Sequence, residues 1–134
     1  MLTPFLRWNL LVTDIGFLLY WTASALNLFP AEWLYKDHSN PILMAWNWSF
    51  APLDLAASTS GLMALWLARS GRTTWFHWLL VSLSLTLCAG LMAISFWSLR
   101  RDFDLAWWLP NLYLVAWPAW FLCALLSVSR ERAA

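Results

Sequence analysis

Residues Trp46–Ser58 read W-N-W-S-F-A-P-L-D-L-A-A-S, which puts a proline and a carboxyl inside an apolar helical run. A proline in a helix interior removes one backbone hydrogen bond and frees the carbonyl four residues earlier, here that of Trp48. An ionisable side chain at bilayer depth is costly, so it usually faces a bundle interior or a wet cavity. Because Pro52 and Asp54 are only two residues apart, the stretch predicts a polar focus inside a membrane protein.

The composition around this stretch is typical of a membrane protein. The chain has 134 residues, of which 62% are hydrophobic and 11% charged, and its mean hydropathy is +0.60. A soluble domain is about 45–50% apolar and about 25% charged, so the excess apolar surface is expected to contact membrane lipid. The 13 tryptophans agree, because indole rings favour the headgroup region. The net charge of +1, with scattered basic residues, argues against a nucleic-acid partner.

The order of apolar and polar segments predicts an all-α, polytopic fold. Each apolar segment is close to the roughly 20 residues that cross a hydrocarbon core. We therefore expect a four-transmembrane-helix bundle that forms a single transmembrane domain over residues 1–134, with helices at about 8–29, 42–68, 74–98 and 105–128. In the first segment, Arg7, the apolar run and Ala23-Ser24-Ala25 also resemble a signal peptide with its cleavage site. Asp14 interrupts that run, so we expect a retained membrane helix.

The basic residues predict the orientation of these helices. Arginine and lysine in short loops mark the cytoplasmic side of a membrane protein. One side carries five of them, Arg7, Arg69, Arg72, Arg130 and Arg132, and the other carries three, Lys36, Arg100 and Arg101. Both termini are therefore expected in the cytoplasm.

Helical spacing gathers small and polar residues of the second segment on one face: Asn47, Ala51, Asp54, Ser58, Gly61 and Leu65. In the third segment Ser82, Thr86 and Gly90 repeat every four residues in the same way. Such faces suit helix packing in lipid, where close approach and interhelical hydrogen bonds replace the hydrophobic drive. Helix packing explains the small residues of this face, but it does not require a carboxyl such as that of Asp54. It is a hydrogen-bonded structural carboxyl, a protonatable group in transport or ligand binding, or a catalytic acid.

Further residues are candidates for the same site. Asn111 falls at a depth similar to that of Asn47, so the two amides and Asp54 could form one polar cluster in the outer half of the bundle. Trp48 and Trp117 could add cation–π contacts to a positively charged ligand. Asp14 lies two turns beyond Arg7, and its expected neighbours are Ser and Thr side chains of adjacent helices.

The chain lacks the short motifs that identify common enzymes. It contains no H-E-x-x-H, no G-x-S-x-G and no phosphate-binding loop, and no histidine pair at ligand spacing. We therefore expect neither a metal site nor a cofactor. Membrane enzymes often use dispersed residues, so the motifs leave open whether the protein is an enzyme.

Three functions follow from these residues. The first is binding of a small molecule or ion at an intramembrane polar site around Asp54, with transport as its extension. The second is an accessory or structural subunit of a membrane complex, or a homo-oligomer, because so short a chain exposes much helix surface. The third is a membrane enzyme acting on a lipid or isoprenoid, with Asp54 or Asp14 as general acid.

Four stretches carry a resemblance to a known family: Thr13–Phe17, Pro30–Asp37, Trp46–Leu55 and Asp102–Leu112. The most specific is the string W-N-W-S-F-x-P-L-D-L. Together they resemble the YvaD-like family of small bacterial four-helix membrane proteins, whose function is unassigned. The resemblance covers nearly the whole chain and implies a location in the bacterial inner membrane. It implies no activity.

Overall fold

The computed structural model describes residues 2–131, and the surroundings of the side chains of residues 2–125. This part of the chain is helical without a strand, so the all-α prediction is confirmed. It contains five helices of eight residues or more and one four-residue helix. In chain order these are α1 (Pro4–Ala25), α2 (Ala31–Leu34), α3 (Pro41–Trp48), α4 (Ala51–Arg69), α5 (Trp75–Leu99) and α6 (Leu105–Glu131).

Helix α1 begins and ends about four residues earlier than the apolar run suggested. The side chain of Thr3 accepts a hydrogen bond from the backbone N–H of Leu6 at 3.3 Å, and Pro4 occupies the first helical position. At the other end, Asn27 adopts a left-handed φ of 50°, and the N–H of Leu28 donates to the carbonyl of Ala23 at 3.0 Å. These two caps, rather than hydrophobicity, determine the helix bounds.

The second predicted segment is divided in two. Helix α3 ends at Trp48 and α4 begins at Ala51, so Pro52 lies in a first helical turn, where its missing N–H costs no helical hydrogen bond. The expectation that Pro52 lies inside one continuous helix was wrong. Asp54 consequently lies in the first turn of α4, where the unpaired N–H groups of the helix end favour a carboxylate.

The number of membrane-crossing helices also differs from the expectation of four. In the described part of the chain, three helical spans are long and apolar enough to cross a membrane: Pro41–Arg69, which counts α3 and α4 as one span, Trp75–Leu99 and Leu105–Leu125. Helix α1 has the length, at 22 residues, but not the hydropathy. Polar side chains, among them Arg7, Asn9 and Asp14, account for that difference.

The long helices pack in the order α1, α4, α5, α6, and α1 also contacts α6. The small-residue face of α5 lies in one of these contacts. A methyl group added at Gly90 would come within 2.9 Å of the carbonyl oxygen of Asn111 and within 3.0 Å of the backbone of Leu114. The backbones of helices α5 and α6 therefore approach each other closely here, and the missing side chain of Gly90 makes that approach feasible.

Two of the basic residues used for the orientation lie at the same end of the bundle. Arg7 of α1 and Arg69 of α4 both line a small cavity of about 280 Å³. We call this the basic end. The side chains of Arg130 and Arg132, which also entered that prediction, lie outside the described residues.

Candidate functional site

A cavity of about 480 Å³ lies at the opposite end of the bundle from the basic end, and we call that end the cavity end. All six helices contribute to its wall. The aromatic residues of the wall are Phe17, Tyr20, Trp21, Trp33, Trp46, Phe50, Trp97 and Trp107, and the polar ones are Glu32, Asn47, Asp54 and Asn111. The cavity is therefore mainly apolar, with a few polar groups that converge on it.

The carboxyl of Asp54 is held by one neighbour and leaves one oxygen free. Its Oδ2 atom accepts a hydrogen bond from the indole Nε1 of Trp21 at 2.9 Å. Both side chains are buried, with 6% and 5% of their surfaces exposed. The buried Oδ1 atom has no hydrogen-bond partner among the described residues. Trp21 therefore orients the carboxyl through Oδ2, and Oδ1 is left unpaired.

The two amides expected near Asp54 line the same cavity. The Nδ2 atom of Asn47 is buried and has no partner in the described part of the chain. The Nδ2 atom of Asn111 donates to the backbone carbonyl of Trp107 at 2.7 Å. The fold thus brings together Asp54, Asn47 and Asn111 from three different helices. Their role in binding stays a prediction.

The other three candidate residues lie away from this wall. Trp48 packs against Trp21, with ring centroids 5.3 Å apart, and is not among the residues that line the cavity. Trp117 is buried in the apolar core near the basic end, beside Leu10. Asp14 is fully buried deeper in the bundle. The cation–π contacts expected of Trp48 and Trp117 are therefore not placed at the cavity.

Ion pairs join the two loops at the cavity end. The Lys36 ammonium lies 2.6 Å from Oδ1 of Asp102 and 3.3 Å from Oδ2 of Asp104. A third pair joins Arg100 to Asp37 at 3.1 Å. We call these three pairs the loop clamp. The clamp links the loop that carries α2, part of the cavity wall, to the loop that precedes α6.

The protonation of the clamp follows from its geometry. Partial burial acts to lower the pKa of Lys36, but its hydrogen bonds to Asp102 and Asp104 outweigh burial and hold that pKa above its ordinary value. The backbone N–H of Ala106 donates to Asp104 at 2.9 Å, and this bond, together with Lys36, holds the pKa of Asp104 below its ordinary value. Both groups are therefore charged across the neutral range.

Comparison with known proteins identifies the family. The sequence pattern of DUF5360, described as a family of unknown function, matches residues 6–132. The chain belongs to this family. It is similar to the uncharacterized protein YvaD of Bacillus subtilis (strain 168), with 50% identity over 121 residues, which are 90% of this chain and 91% of YvaD. No solved structure matches the chain. The resemblance to a YvaD-like family of unassigned function is thus confirmed.

In this member of the DUF5360 family, the wall of the cavity is aromatic and acidic. Its wall combines aromatic rings with the carboxyls of Asp54 and Glu32, and none of its residues is Lys, Arg or His. Aromatic faces attract cations because the centre of the ring carries partial negative charge. The sequence shows that the chain is rich in aromatic rings, with 13 tryptophans. It does not show which of these rings line one cavity, because that depends on how the helices pack.

Proposed function

We propose that the protein is an integral membrane protein that binds a small organic cation in the cavity beside Asp54. The observation that carries the proposal is the position of Asp54, a carboxyl with one unpaired oxygen, in the wall of an aromatic cavity. The cavity volume of about 480 Å³ suits a small-molecule ligand, since ligand pockets measure roughly 300–1,000 Å³. An ammonium group in this position would pair with the carboxylate and contact the rings.

The charges of the site support a cation over an anion. A buried carboxylate without a counter-ion costs several kcal/mol, on the order of what a cationic ligand would recover. Glu32 on α2 adds a second carboxyl to the wall. Lys36 and Arg100 lie over the ring of Trp97, 5.2 and 5.7 Å from its centroid, but neither lines the cavity and both are paired with carboxylates of the loop clamp. The unpartnered Nδ2 of Asn47 carries two N–H donors, which suit a hydrogen-bond acceptor elsewhere on the ligand.

The placement of α1 supports four membrane crossings. The helix spans about 33 Å at 1.5 Å per residue, enough for a hydrocarbon core. Its exposed side chains include Trp8, Val12 and Leu19, whereas Asp14 and Thr13 are buried. Apolar side chains outside and polar ones inside are typical of a helix that faces lipid. This is why we count α1 as a fourth transmembrane helix despite its lower hydropathy.

The positions of the basic residues also support our proposal that the protein lies in a bacterial inner membrane with both termini in the cytoplasm. Arg7 and Arg69 lie together at the basic end, as the positive-inside rule requires of a cytoplasmic face. The cavity then lies in the outer half of one four-helix transmembrane domain. Alkaline phosphatase fused after Phe29 should be active, and the same enzyme fused after Gly71 should be inactive. The reverse pattern would contradict this topology.

The binding proposal is tested with a matched pair of probes. Acetylcholine carries a quaternary ammonium, and 3,3-dimethylbutyl acetate has the same shape with a neutral carbon in place of the nitrogen. Isothermal titration of the purified protein should show acetylcholine binding about tenfold more tightly, or better, because only the cation interacts with Asp54 and the rings. Asp54→Asn should remove this difference, while Trp21 can still donate to the new amide oxygen.

Asp102→Asn serves as the control, because it makes the same chemical change at an aspartate that belongs to the loop clamp and does not line the cavity. It should leave the preference for the cation unchanged. Equal affinities of the wild-type protein for the two probes would contradict the proposal. So would an Asp54→Asn variant that is folded by circular dichroism and keeps the preference. Uptake of labelled acetylcholine into proteoliposomes then separates a transporter from a protein that only binds.

A second candidate function rests on α6. Over Leu105–Leu125 only 11% of the helix is buried, against 39% for α5, so α6 presents a broad apolar surface. This surface, which includes Leu112 and Trp120, suits an accessory subunit or a homo-oligomer as well as lipid contact. Mass measurement after extraction in mild detergent tests this candidate, and a strictly monomeric species would contradict it. The hypothesis of a lipid- or isoprenoid-modifying enzyme stays untested.

A further inference from the structure

The small cavity at the basic end is separate from the aromatic cavity at the other end of the bundle, and we call it the basic cavity. It measures about 280 Å³, and its wall consists of Pro4, Arg7, Trp8 and Leu11 of α1 together with Arg69 of α4. Arg7 lies near the start of α1 and Arg69 is the last residue of α4, and these two helices pack against each other. Two guanidinium groups from different helices therefore share the wall of one cavity.

These two cations have no counter-ion in the part of the chain whose side chains are described. Both side chains are exposed, and neither takes part in an ion pair among residues 2–125. The acidic side chains of that part lie in the loop clamp, in the wall of the aromatic cavity or buried inside the bundle: Asp37, Asp102, Asp104, Glu32, Asp54 and Asp14. The side chain of Glu131 lies outside the described residues. Within residues 2–125, the basic cavity thus carries positive charge alone.

An anionic phosphate group is the ligand chemistry that these side chains suit. A guanidinium group is planar and carries five N–H donors, which bind the oxygen atoms of a phosphate in pairs. The wall contains no carboxylate that would compete for these donors. For the same reason it offers no partner to the ammonium group of a zwitterionic headgroup. A ligand with a phosphate and a net negative charge is therefore favoured.

The apolar part of the wall indicates that this phosphate belongs to a lipid. Arg7 and Leu11 are four residues apart, so they share one face of α1, and Leu11 lies about 6 Å further from the basic end. Trp8 lies beside them with 67% of its surface exposed, and indole rings favour the headgroup region of a membrane. The wall thus changes from charged to apolar with depth, in the same order as the phosphate and the acyl chain of a phospholipid. A free phosphate ion would contact only the charged part.

We propose that the basic cavity binds an anionic phospholipid, with the headgroup phosphate between Arg7 and Arg69 and an acyl chain along Leu11. Pockets that enclose a whole small molecule measure roughly 300–1,000 Å³, so a cavity of about 280 Å³ suits the headgroup of a ligand whose remainder lies outside. Basic pockets between membrane helices bind anionic headgroups through the same charges. The inference rests on the membrane location of the protein. It depends neither on the ligand beside Asp54 nor on which membrane face the basic end meets.

Native mass spectrometry of the full-length protein in detergent micelles tests the proposal, because it counts bound lipids and is independent of orientation in a membrane. Dioleoylphosphatidylglycerol is the anionic probe, and dioleoylphosphatidylcholine has the same acyl chains on a zwitterionic headgroup. The anionic lipid should bind about twentyfold more tightly, since each arginine near a membrane surface contributes about a fivefold factor. Arg7→Gln and Arg69→Gln should each lower this preference about fivefold, and the double variant should abolish it.

Arg72→Gln is the matched control. Arg72 is an exposed arginine in the turn that follows α4, and it does not line the basic cavity. This variant should keep the preference of the wild-type protein. The proposal is overturned if the wild-type protein binds both lipids equally, or if Arg72→Gln lowers the preference as much as Arg69→Gln does, because charge near the surface would then suffice.

A competition experiment separates a lipid from a free phosphate ion. Glycerol 3-phosphate, which carries the phosphate without acyl chains, should leave dioleoylphosphatidylglycerol bound even in large excess. Displacement of the lipid by glycerol 3-phosphate would overturn the assignment to a lipid. Folding of each variant is checked by circular dichroism. Should the double variant fail to fold, the two single variants decide, since each keeps one of the two guanidinium groups.

Discussion

The hydrogen bond between Trp21 and Asp54 joins α1 to α4 and gives the most quantitative prediction. Trp21→Phe removes the indole N–H and leaves a buried carboxyl without any partner. A hydrogen bond to a charged group contributes about 1.5–3 kcal/mol in soluble proteins, whereas side-chain bonds inside membranes average roughly 0.6 and reach about 1.7. The distance of 2.9 Å and the burial of both partners favour the upper end of the membrane range. We therefore expect a coupling free energy of about 1.5 kcal/mol, roughly tenfold in the unfolding equilibrium constant.

The assay is reversible unfolding in mixed micelles of increasing dodecyl sulfate content, followed by circular dichroism. Because Trp21→Phe also removes packing, a double-mutant cycle with Asp54→Ala isolates the pairwise free energy. Trp66→Phe is the control, since Trp66 lies on α4 with 57% of its surface exposed. It should change the free energy of unfolding by less than about 0.5 kcal/mol. A coupling below about 0.3 kcal/mol would refute the assignment of Trp21 as the residue that orients Asp54.

Two further predictions concern helix packing and the loop clamp. Gly90→Ala should lower the free energy of unfolding by about 1–3 kcal/mol through overpacking. Gly16→Ala, where nothing lies within 4 Å, should raise it by up to about 1 kcal/mol through helix propensity. Similar effects of the two changes would contradict the close contact of α5 and α6. For the clamp, Asp104→Asn should lower the thermal midpoint at neutral pH, and the difference from wild type should vanish as the pH falls below 3.8, the ordinary pKa of Asp104. The sign follows because the pKa of Asp104 is lower in the folded protein than in the unfolded chain. The ionised carboxyl therefore stabilises the fold at pH values above the pKa of the unfolded chain, and this stabilisation is lost as the pH falls through the pKa of the folded protein. Lys36 acts in the opposite sense, because its pKa is raised in the folded protein. Its contribution to the stability of the fold is complete below pH 10.5, the ordinary pKa of lysine, and is lost as the pH rises through the pKa of the folded protein. A difference that persists at a pH of about 2 would contradict the role of Asp104.

Local sequence patterns predicted the helices because apolar runs and caps act over a few residues. The bounds of α5 and the start of α6 were expected to within about one residue, which is as close as helix ends are defined. The clustering of Asp54, Asn47 and Asn111 was also expected, since residues at the same depth of a bundle tend to meet. The break at Ser49 and Phe50 was missed, because proline is equally compatible with a kink and with a new first turn.

What the sequence by itself determined is therefore the class of fold, the approximate helices and the polar face that carries Asp54. Only the tertiary structure decided which neighbours cover that face. Trp46 and Trp48 are two residues apart on α3, yet Trp46 lines the cavity, whereas Trp48 packs against Trp21 and does not line it. Asp14 likewise meets Gly61 and Ser82 only because α1, α4 and α5 pack together. Helical periodicity specifies which residues share a face, whereas the partner of that face depends on how all the helices pack at once.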